Sequence, residues 1–175
     1  YEFNPVTDEN GNKNIYIDGV PFARMPKGGF YYDQIAHPLE KCLGIKDLDS
    51  FCPYRMDNEE IDYIAEEVEY LYHHTDKAIV FGFGGSIFEQ GQRDFGFENF
   101  YCNILLEQDL MHAYFKKLTD AYLYNLEKVL SRVGDKIQVI QFFDDLGSQN
   151  ALQIAPDIYR QMIKPYHTQL YSYIH

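Results

Sequence analysis

The sequence predicts an α/β fold in which parallel strands alternate with helices. Two short apolar runs, at residues 78–81 and 137–143, are typical of buried strands, and long segments of helical periodicity separate them. Strands joined through helices form right-handed parallel crossovers. These observations fit either a doubly wound sheet or a (β/α)8 barrel. A complete barrel needs roughly 250 residues, so a chain of 175 residues with two β/α units is expected to hold about half of one.

The helices are predicted from apolar spacing and from residues that begin or end helices. Asp57 and Asn58 are both suited to cap the first helix, in which apolar residues recur at helical spacing. Gly134 ends a long helix, Pro156 fits the first turn of the last one, and Pro165 is expected to bend or divide it. The predicted helices span residues 57–77, 86–93, 97–106, 109–133 and 156–175.

Residues 1–56 are predicted to form an irregular excursion within the same domain as the β/α units of residues 57–175. Two short strands, at residues 14–18 and 20–24, flank Asp18 and Gly19, a pair typical of a β-hairpin turn. No sustained periodicity follows before residue 57, so we expect an extended surface segment there.

The composition argues against several classes of function. The formal net charge is -12 at pH 7, which disfavours binding to nucleic acid or to an anionic membrane, because both require a basic face. No apolar run is long enough to span a bilayer. The cysteines Cys42, Cys52 and Cys102 fit neither a disulfide framework nor a zinc motif, so we expect reduced thiols in a cytoplasmic protein.

The first strand is followed by a glycine-rich segment. In both candidate architectures ligands bind at the carboxyl ends of the parallel strands. There the chain reads Gly82, Phe83, Gly84 and Gly85, and glycines allow a ligand to approach the backbone. The segment lacks the fingerprint of a dinucleotide site and that of a phosphate loop. We predict that these four residues bind substrate, with a tight strand-to-helix turn as the alternative.

The second strand ends on two adjacent carboxylates, Asp144 and Asp145. Adjacent residues at a strand end point in different directions, so one is expected to face the pocket while the other caps a local turn. A carboxylate at this position accepts a proton, binds a cation or orients a ligand. Both are therefore predicted as catalytic, and an Asx-turn that closes the loop is the alternative.

Three further residues are predicted to bind substrate beside the strand ends. Glu89 and Arg93 follow the glycine segment, and Gln149 follows the acidic pair. Arg93 is suited to bind a substrate carboxylate or Asp145, although a plain surface ion pair is an equal alternative. No metal site is predicted within the chain, because neighbours such as His73 and His74 diverge on a helix. His37, which precedes Pro38, is expected to be structural.

Several segments resemble the uroporphyrinogen decarboxylase (URO-D) superfamily. They are FDDLGSQ at 143–149, IAP at 154–156, YR at 159–160 and KPY at 164–166, with FGFGG at 81–85 similar to that family's glycine loop. The resemblance implies a (β/α)8 TIM barrel of URO-D type, of which this chain covers about half, with its pocket at the carboxyl ends of the strands. It also implies one of two activities. One is the decarboxylation of uroporphyrinogen in porphyrin biosynthesis, and the other is methyl transfer between a corrinoid and a thiol or another acceptor.

The sequence is closer to the methyltransferase-like branch than to the decarboxylases. Residues 8–11, 29–33 and 37–39 resemble the excursion of that branch. The Pro-Trp-Thr of the decarboxylases is replaced by Ile-Phe-Glu at 87–89, and their tyrosine in the following helix falls near Arg93. A substrate with eight carboxylates also requires a basic cleft, which the acidic surplus of this chain does not favour.

We therefore expect a corrinoid-linked methyltransferase in which Asp145, Gln149 and Glu89 line the pocket. Uroporphyrinogen decarboxylation without a cofactor is the first alternative, and a non-catalytic ligand-binding barrel is the second. For the methyltransferase, the resemblance implies corrinoid and zinc as cofactors of the full-length protein, with zinc ligands outside this chain. The expected partners are a small-molecule substrate or a corrinoid protein. Because half a barrel has open sheet edges, a homodimer is also expected.

Overall fold

The computed structural model describes residues 4–17 and 19–175. Asp18 of the predicted hairpin turn lies outside the described residues. Along the chain, an antiparallel sheet comes first and is followed by a 3-10 helix over Ile45–Ser50. A series of helices then follows, and two parallel strands interrupt it. Within the described residues, no helix combines the length and apolar character needed to cross a membrane.

The N-terminal segment contains a small four-stranded antiparallel sheet rather than a single hairpin. Its strands pair in chain order, with β2 and β3 forming the long central hairpin. A register shift between Ile15 and Tyr16 interrupts this pairing. The strands are β1 (Val6–Thr7), β2 (Lys13–Ile17), β3 (Val20–Met25) and β4 (Asp33–Gln34).

The helices of the remaining chain lie close to their predicted positions. They are α1 (Asn58–His74), α2 (Phe88–Phe95), α3 (Phe97–Leu106), α4 (Gln108–Val133), α5 (Pro156–Ile158) and α6 (Lys164–Ile174). Asp57 caps α1 by accepting from the Glu60 N–H at 2.9 Å, while the Glu60 carboxylate accepts from the Asp57 N–H at 3.0 Å. This reciprocal pair satisfies two backbone donors of the first turn.

The last helix changes its winding where the sequence predicted a bend. One turn of π-helix, Tyr159–Ile163, separates α5 from α6. Pro165 lies in the first turn of α6 and has no N–H to donate to the carbonyl four residues earlier. The π-helical turn before Pro165 is wider than an α-helical turn, so the chain tolerates the backbone hydrogen bond that Pro165 cannot make.

Two parallel strands form the second sheet, β5 (Val80–Gly84) and β6 (Val139–Phe142). They are joined through α2, α3 and α4, as a β/α crossover requires. Phe83, Ile140 and Phe142 pack against the helical core, whereas Val80 and Val139, which pair with each other, remain 55% and 47% exposed. The described residues therefore form a mixed α/β fold with parallel strands, and within them the sheet does not close into a barrel.

An aromatic core holds α2, α3 and α4 together. Phe88, Phe95, Phe100, Tyr114 and Phe115 are fully buried and contact one another edge to face. Such contacts stabilise a core beyond the area that they bury. Gly91 on α2 provides the space for this packing, because a Cβ atom there would lie 2.2 Å from Cε2 of Phe100.

We expect Gly91→Ala to destabilise the fold even though alanine favours helices. The clash with the buried Phe100 ring costs about 1–3 kcal/mol, which exceeds the gain of about 1 kcal/mol in helix propensity. Urea unfolding measures the difference. Gly44→Ala is the control, because nothing lies within 4 Å of a Cβ at Gly44 and its extended backbone accepts any residue. Equal stability of the two variants would contradict the packing argument.

Candidate functional site

Asp144 holds the beginning of α2. Its Oδ2 accepts from the backbone N–H groups of Ile87 at 3.0 Å and Phe88 at 2.9 Å, and its Oδ1 accepts from that of Glu89 at 2.8 Å. Helix N-termini leave such donors unpaired, and α2 has no side-chain cap of its own. The end of β6 thus supplies the cap of α2 from 55 or more residues along the chain.

A buried histidine completes this contact. Nε2 of His167 on α6 lies 2.8 Å from Oδ2 of Asp144, and the two side chains are only 5% and 6% exposed. On the other side of the ring, Nδ1 lies 3.3 Å from the hydroxyl of Tyr159. The carboxylate therefore has four hydrogen-bonding partners, which is what a buried charge requires.

A cavity of about 810 Å³ lies between the N-terminal sheet and α2. One part of its wall is apolar or aromatic, and the other carries carboxylates, amides, one guanidinium and one imidazole. Its lining residues are Ile15, Phe22, Ala23, Tyr32, Asp33, Gln34, His37, Pro38, Glu89, Gln90, Gln92, Arg93, Asp94, Phe97, Asp145 and Gln153. A cavity of this size and mixed lining is typical of a small-molecule site.

The excursion forms one wall of the cavity because it binds the last turn of α2. Gln34 Nε2 and His37 Nδ1 each donate to the Arg93 carbonyl at 2.8 Å, and the Leu39 N–H donates to the Asp94 carbonyl at 2.7 Å. Carbonyls at a helix C-terminus lack partners within the helix. Gly96 then ends α2 with a φ of 79°, and a Cβ there would lie 3.1 Å from the His37 ring.

A chain of amides fixes the loop that carries Asp145. Gln92 Nε2 donates to Gln153 Oε1 at 2.8 Å and to the Tyr101 hydroxyl at 3.0 Å. The Tyr101 hydroxyl donates to Gln153 Oε1 at 2.6 Å, and Gln153 Nε2 donates to the Asp145 carbonyl at 3.0 Å. The Asp145 side chain itself stays exposed at the cavity wall. Its Oδ1 accepts from the Gly147 N–H at 3.3 Å, which is the Asx-turn that the sequence offered as the alternative.

Asp94 is the buried acid of the cavity wall. Its carboxylate accepts from the Tyr114 hydroxyl at 2.7 Å and from Gln90 Nε2 at 2.9 Å. Burial raises the pKa of Asp94, although both hydrogen bonds and the charges of Arg93 and His37 oppose the shift. Burial and the neighbouring carboxylate also raise the pKa of Tyr114, so this hydroxyl remains the donor.

The structure brings together some of the predicted site residues and separates others. Glu89, Arg93 and Asp145 line the cavity, and Arg93 pairs with Glu89 one helical turn away rather than with Asp145. Asp144 is absent from the described lining and lies in the buried contact with α2 and His167. Its catalytic role, like those of the other predicted residues, stays a prediction.

The glycine segment and Gln149 also lie outside the described lining of the cavity. Gly84 and Gly85 have φ angles of 82° and 65°, and a Cβ at Gly85 would lie 2.8 Å from the Phe83 ring. These φ angles suit a strand-to-helix turn, which was the alternative interpretation of this segment, and substrate binding by residues 82–85 stays a prediction. Gln149 is exposed in a turn.

Most residues that line the cavity were not predicted as site residues, and His37, Asp94, Tyr32 and Gln153 are among them. His37 and Gln153 contact partners 56 and 61 residues away, so no local pattern indicates their position. Asp94 offered a weak signal in the sequence. A charged residue beside Phe95 on a short helix needs a hydrogen-bonding partner if that part of the helix packs into the core. Among the residues that the structure describes, no group of three or more His, Cys, Asp or Glu is arranged to hold a metal ion.

The fold and the cavity define an α/β protein whose pocket lies beside the ends of parallel strands. The chain belongs to the uroporphyrinogen decarboxylase (URO-D) family, whose family model matches residues 30–175. This match confirms the superfamily that the motifs predicted, and members of this superfamily are generally enzymes with a TIM-barrel fold. Comparisons with curated proteins and with solved structures gave no match.

We expect Asp144→Ala to unfold the α2 region and lower overall stability. The change removes a helix cap, at a cost of about 0.5–2 kcal/mol, and leaves the buried His167 without its acceptor, at about 1–3 kcal/mol more. Urea unfolding provides the measurement, and Asp145→Ala is the matched control because that carboxylate is exposed. If both variants lose the same stability, Asp144 does not hold α2.

The raised pKa of Asp94 predicts a pH dependence of stability. The folded state binds the Asp94 proton more tightly than the unfolded chain, so folding free energy is lost as pH rises from the ordinary aspartate pKa of 3.8 through the raised pKa of Asp94. Asp94→Asn removes this loss. The free energy of unfolding of the variant, relative to the natural chain, should therefore increase with pH over this window and then level off. Urea unfolding from acidic to neutral pH measures the difference, and a decrease with pH would exclude the assignment.

Proposed function

We propose that this chain forms about half of a (β/α)8 barrel that transfers a methyl group from a corrinoid to a thiol or a similar acceptor. Family membership supports the barrel, and the parallel pairing of β5 and β6 is the sheet pattern that such a barrel requires. The choice of reaction rests on the charge of the cavity. The decarboxylase reaction of the same superfamily is the competing proposal.

The observation that carries the proposal is the acidic lining of the cavity. Asp33, Glu89, Asp94 and Asp145 line it beside Arg93, and Arg93 is engaged by Glu89. A substrate with many carboxylates requires a surplus of positive charge, since like charges at close range oppose binding. The cavity therefore favours an acceptor that is neutral or cationic over a polycarboxylate such as uroporphyrinogen.

The size of the cavity supports binding of the acceptor, rather than of the corrinoid, by these residues. About 810 Å³ suits a small molecule, so we place the macrocycle on a corrinoid protein that docks at the open side. A bound methylcorrinoid supplies an electrophilic methyl group. In this proposal Asp145 accepts a hydrogen bond from the acceptor, Glu89 holds Arg93 in place, and the Gln92–Tyr101–Gln153 chain fixes the loop beneath.

Zinc has no ligand set among the described residues, so its ligands belong, in this proposal, to other parts of the barrel. The three cysteines are free thiols. Cys52 and Cys102 are exposed, which supports a reducing compartment such as the cytoplasm. The open edges of the two-stranded sheet support a homodimer.

The decisive experiment supplies the protein encoded by the complete reading frame with a methylated corrinoid protein and a panel of small thiols. We expect loss of the methylcorrinoid spectrum together with formation of the methyl thioether. A parallel reaction with uroporphyrinogen under reducing conditions should give no coproporphyrinogen. The reverse pattern would replace methyl transfer by decarboxylation.

We expect Asp145→Asn to lower kcat/KM for methyl transfer by about 10- to 100-fold, since a hydrogen bond to a charged group contributes about 1.5–3 kcal/mol. Asp120→Asn is the control, because Asp120 forms a surface ion pair with Lys116 on α4 and is absent from the described lining of the cavity. Unchanged kinetics of Asp145→Asn would remove Asp145 from the site.

A further inference from the structure

We propose that His37 is the general base of the cavity and takes the proton from the acceptor thiol. The inference deepens the proposed function. It rests on that function for the statement that the acceptor is a thiol. It assigns a chemical role to a residue of the excursion.

The hydrogen bond of His37 fixes which ring nitrogen carries the proton. Nδ1 lies 2.8 Å from the Arg93 carbonyl oxygen, and a carbonyl oxygen only accepts, so Nδ1 is the donor. In the neutral ring the second nitrogen, Nε2, then has no proton and presents a lone pair. Within residues 4–17 and 19–175, Nε2 makes no hydrogen bond, so this lone pair is available to a ligand.

The position of His37 matches this role. The residue lines the cavity and is partly exposed. Gln34 donates to the same Arg93 carbonyl at 2.8 Å, and the Leu39 N–H binds the Asp94 carbonyl at 2.7 Å. The segment that carries the imidazole is therefore tied to α2 on both sides of His37, as the backbone of a group that transfers protons in a defined geometry must be.

The proton transfer balances without any further reagent. The S–H bond of the acceptor breaks, its electron pair stays on sulfur as a thiolate, and a new N–H bond forms at Nε2 to give the imidazolium. The thiolate is the nucleophile that the methyl transfer requires. The proton then leaves to solvent through the open side of the cavity, which restores the neutral ring.

Several charged groups line the cavity together with His37. Those on α2 are Glu89, Arg93 and Asp94, and Arg93 is engaged by Glu89. The other elements contribute Asp33 on β4, Tyr32 before it and Asp145 after β6 to the cavity lining. Carboxylates outnumber cations in this part of the cavity lining.

Two amide substitutions separate the structural role of His37 from the chemical one. In His37→Asn the side-chain amide nitrogen replaces Nδ1 and still donates to the Arg93 carbonyl, but nothing replaces Nε2. In His37→Gln the amide nitrogen replaces Nε2 and the Nδ1 bond is lost. Neither amide accepts a proton as a base. The variants are compared in the complete protein by thermal unfolding and by kcat/KM for methyl transfer as a function of pH.

We expect His37→Asn to unfold at the same temperature as the natural protein yet to lose about 10²- to 10⁴-fold in kcat/KM, the range for general base catalysis. The natural protein should gain activity with rising pH as the ring loses its proton, and both variants should lack this rise. Free imidazole should restore part of the activity of His37→Ala.

The outcomes distinguish this inference from the proposed function. A natural protein that transfers no methyl group overturns the proposed function itself. In that case the ¹⁵N NMR signals of the His37 ring still test the structural part of the inference, which an Nε2-protonated ring would overturn. An active natural protein whose pH profile and rate are unchanged in His37→Asn overturns the role of His37 alone.

Discussion

The carboxylate of Asp144 connects three separate parts of the chain, since it extends from the end of β6, caps the first turn of α2 and binds His167 on α6. A buried charge is expensive unless donors surround it, and here three backbone N–H groups and an imidazole do so. The buried carboxylate of Asp144 therefore has its full set of donors only when β6, α2 and α6 are all in place. Because α2 has eight residues, too few for a stable isolated helix, its orientation depends on this contact and on the aromatic core.

The opposite end of α2 is held by a different mechanism, with the excursion donating hydrogen bonds to the carbonyls of Arg93 and Asp94. One short helix is thus fixed by a carboxylate at its N-terminus and by N–H donors at its C-terminus, which also matches the direction of the helix dipole. The cavity is the space between these two supports. Glu89, Arg93 and Asp94 reach it from one helix, and His37 reaches it because its own hydrogen bond ties the excursion to that helix.

The sequence predicted the elements better than the site, and the physical reason is the range of the interactions involved. Periodicity and capping residues act within a few positions, so α3 matched its predicted bounds and α4 differed by one residue. The doublet at 144–145 was expected to place one carboxylate at a pocket and the other at a local turn. The structure shows Asp145 both at the cavity and in a local turn with the Gly147 N–H, and it shows Asp144 at the N-terminus of a helix distant in sequence. Which residue took which role depended on α2 and α6, whose positions are set by tertiary packing. His37 and Gln153 escaped prediction for the same reason, because only the folded chain places them beside α2.

The exposed face of the parallel sheet bears on how the fold is completed. Side chains alternate between the two faces of a strand, and here the face with Phe83, Ile140 and Phe142 packs against the helices, while Val80, Val139 and Phe143 stay about half exposed. Apolar residues that share one face of a sheet with open edges need a cover, either further strands or another copy. Inward-facing apolar side chains fill the interior of a closed (β/α)8 barrel, so this face supports the view that additional strands complete the sheet. Asp145, three residues after the end of β6, lines the cavity, so the cavity lies near the carboxyl end of that strand.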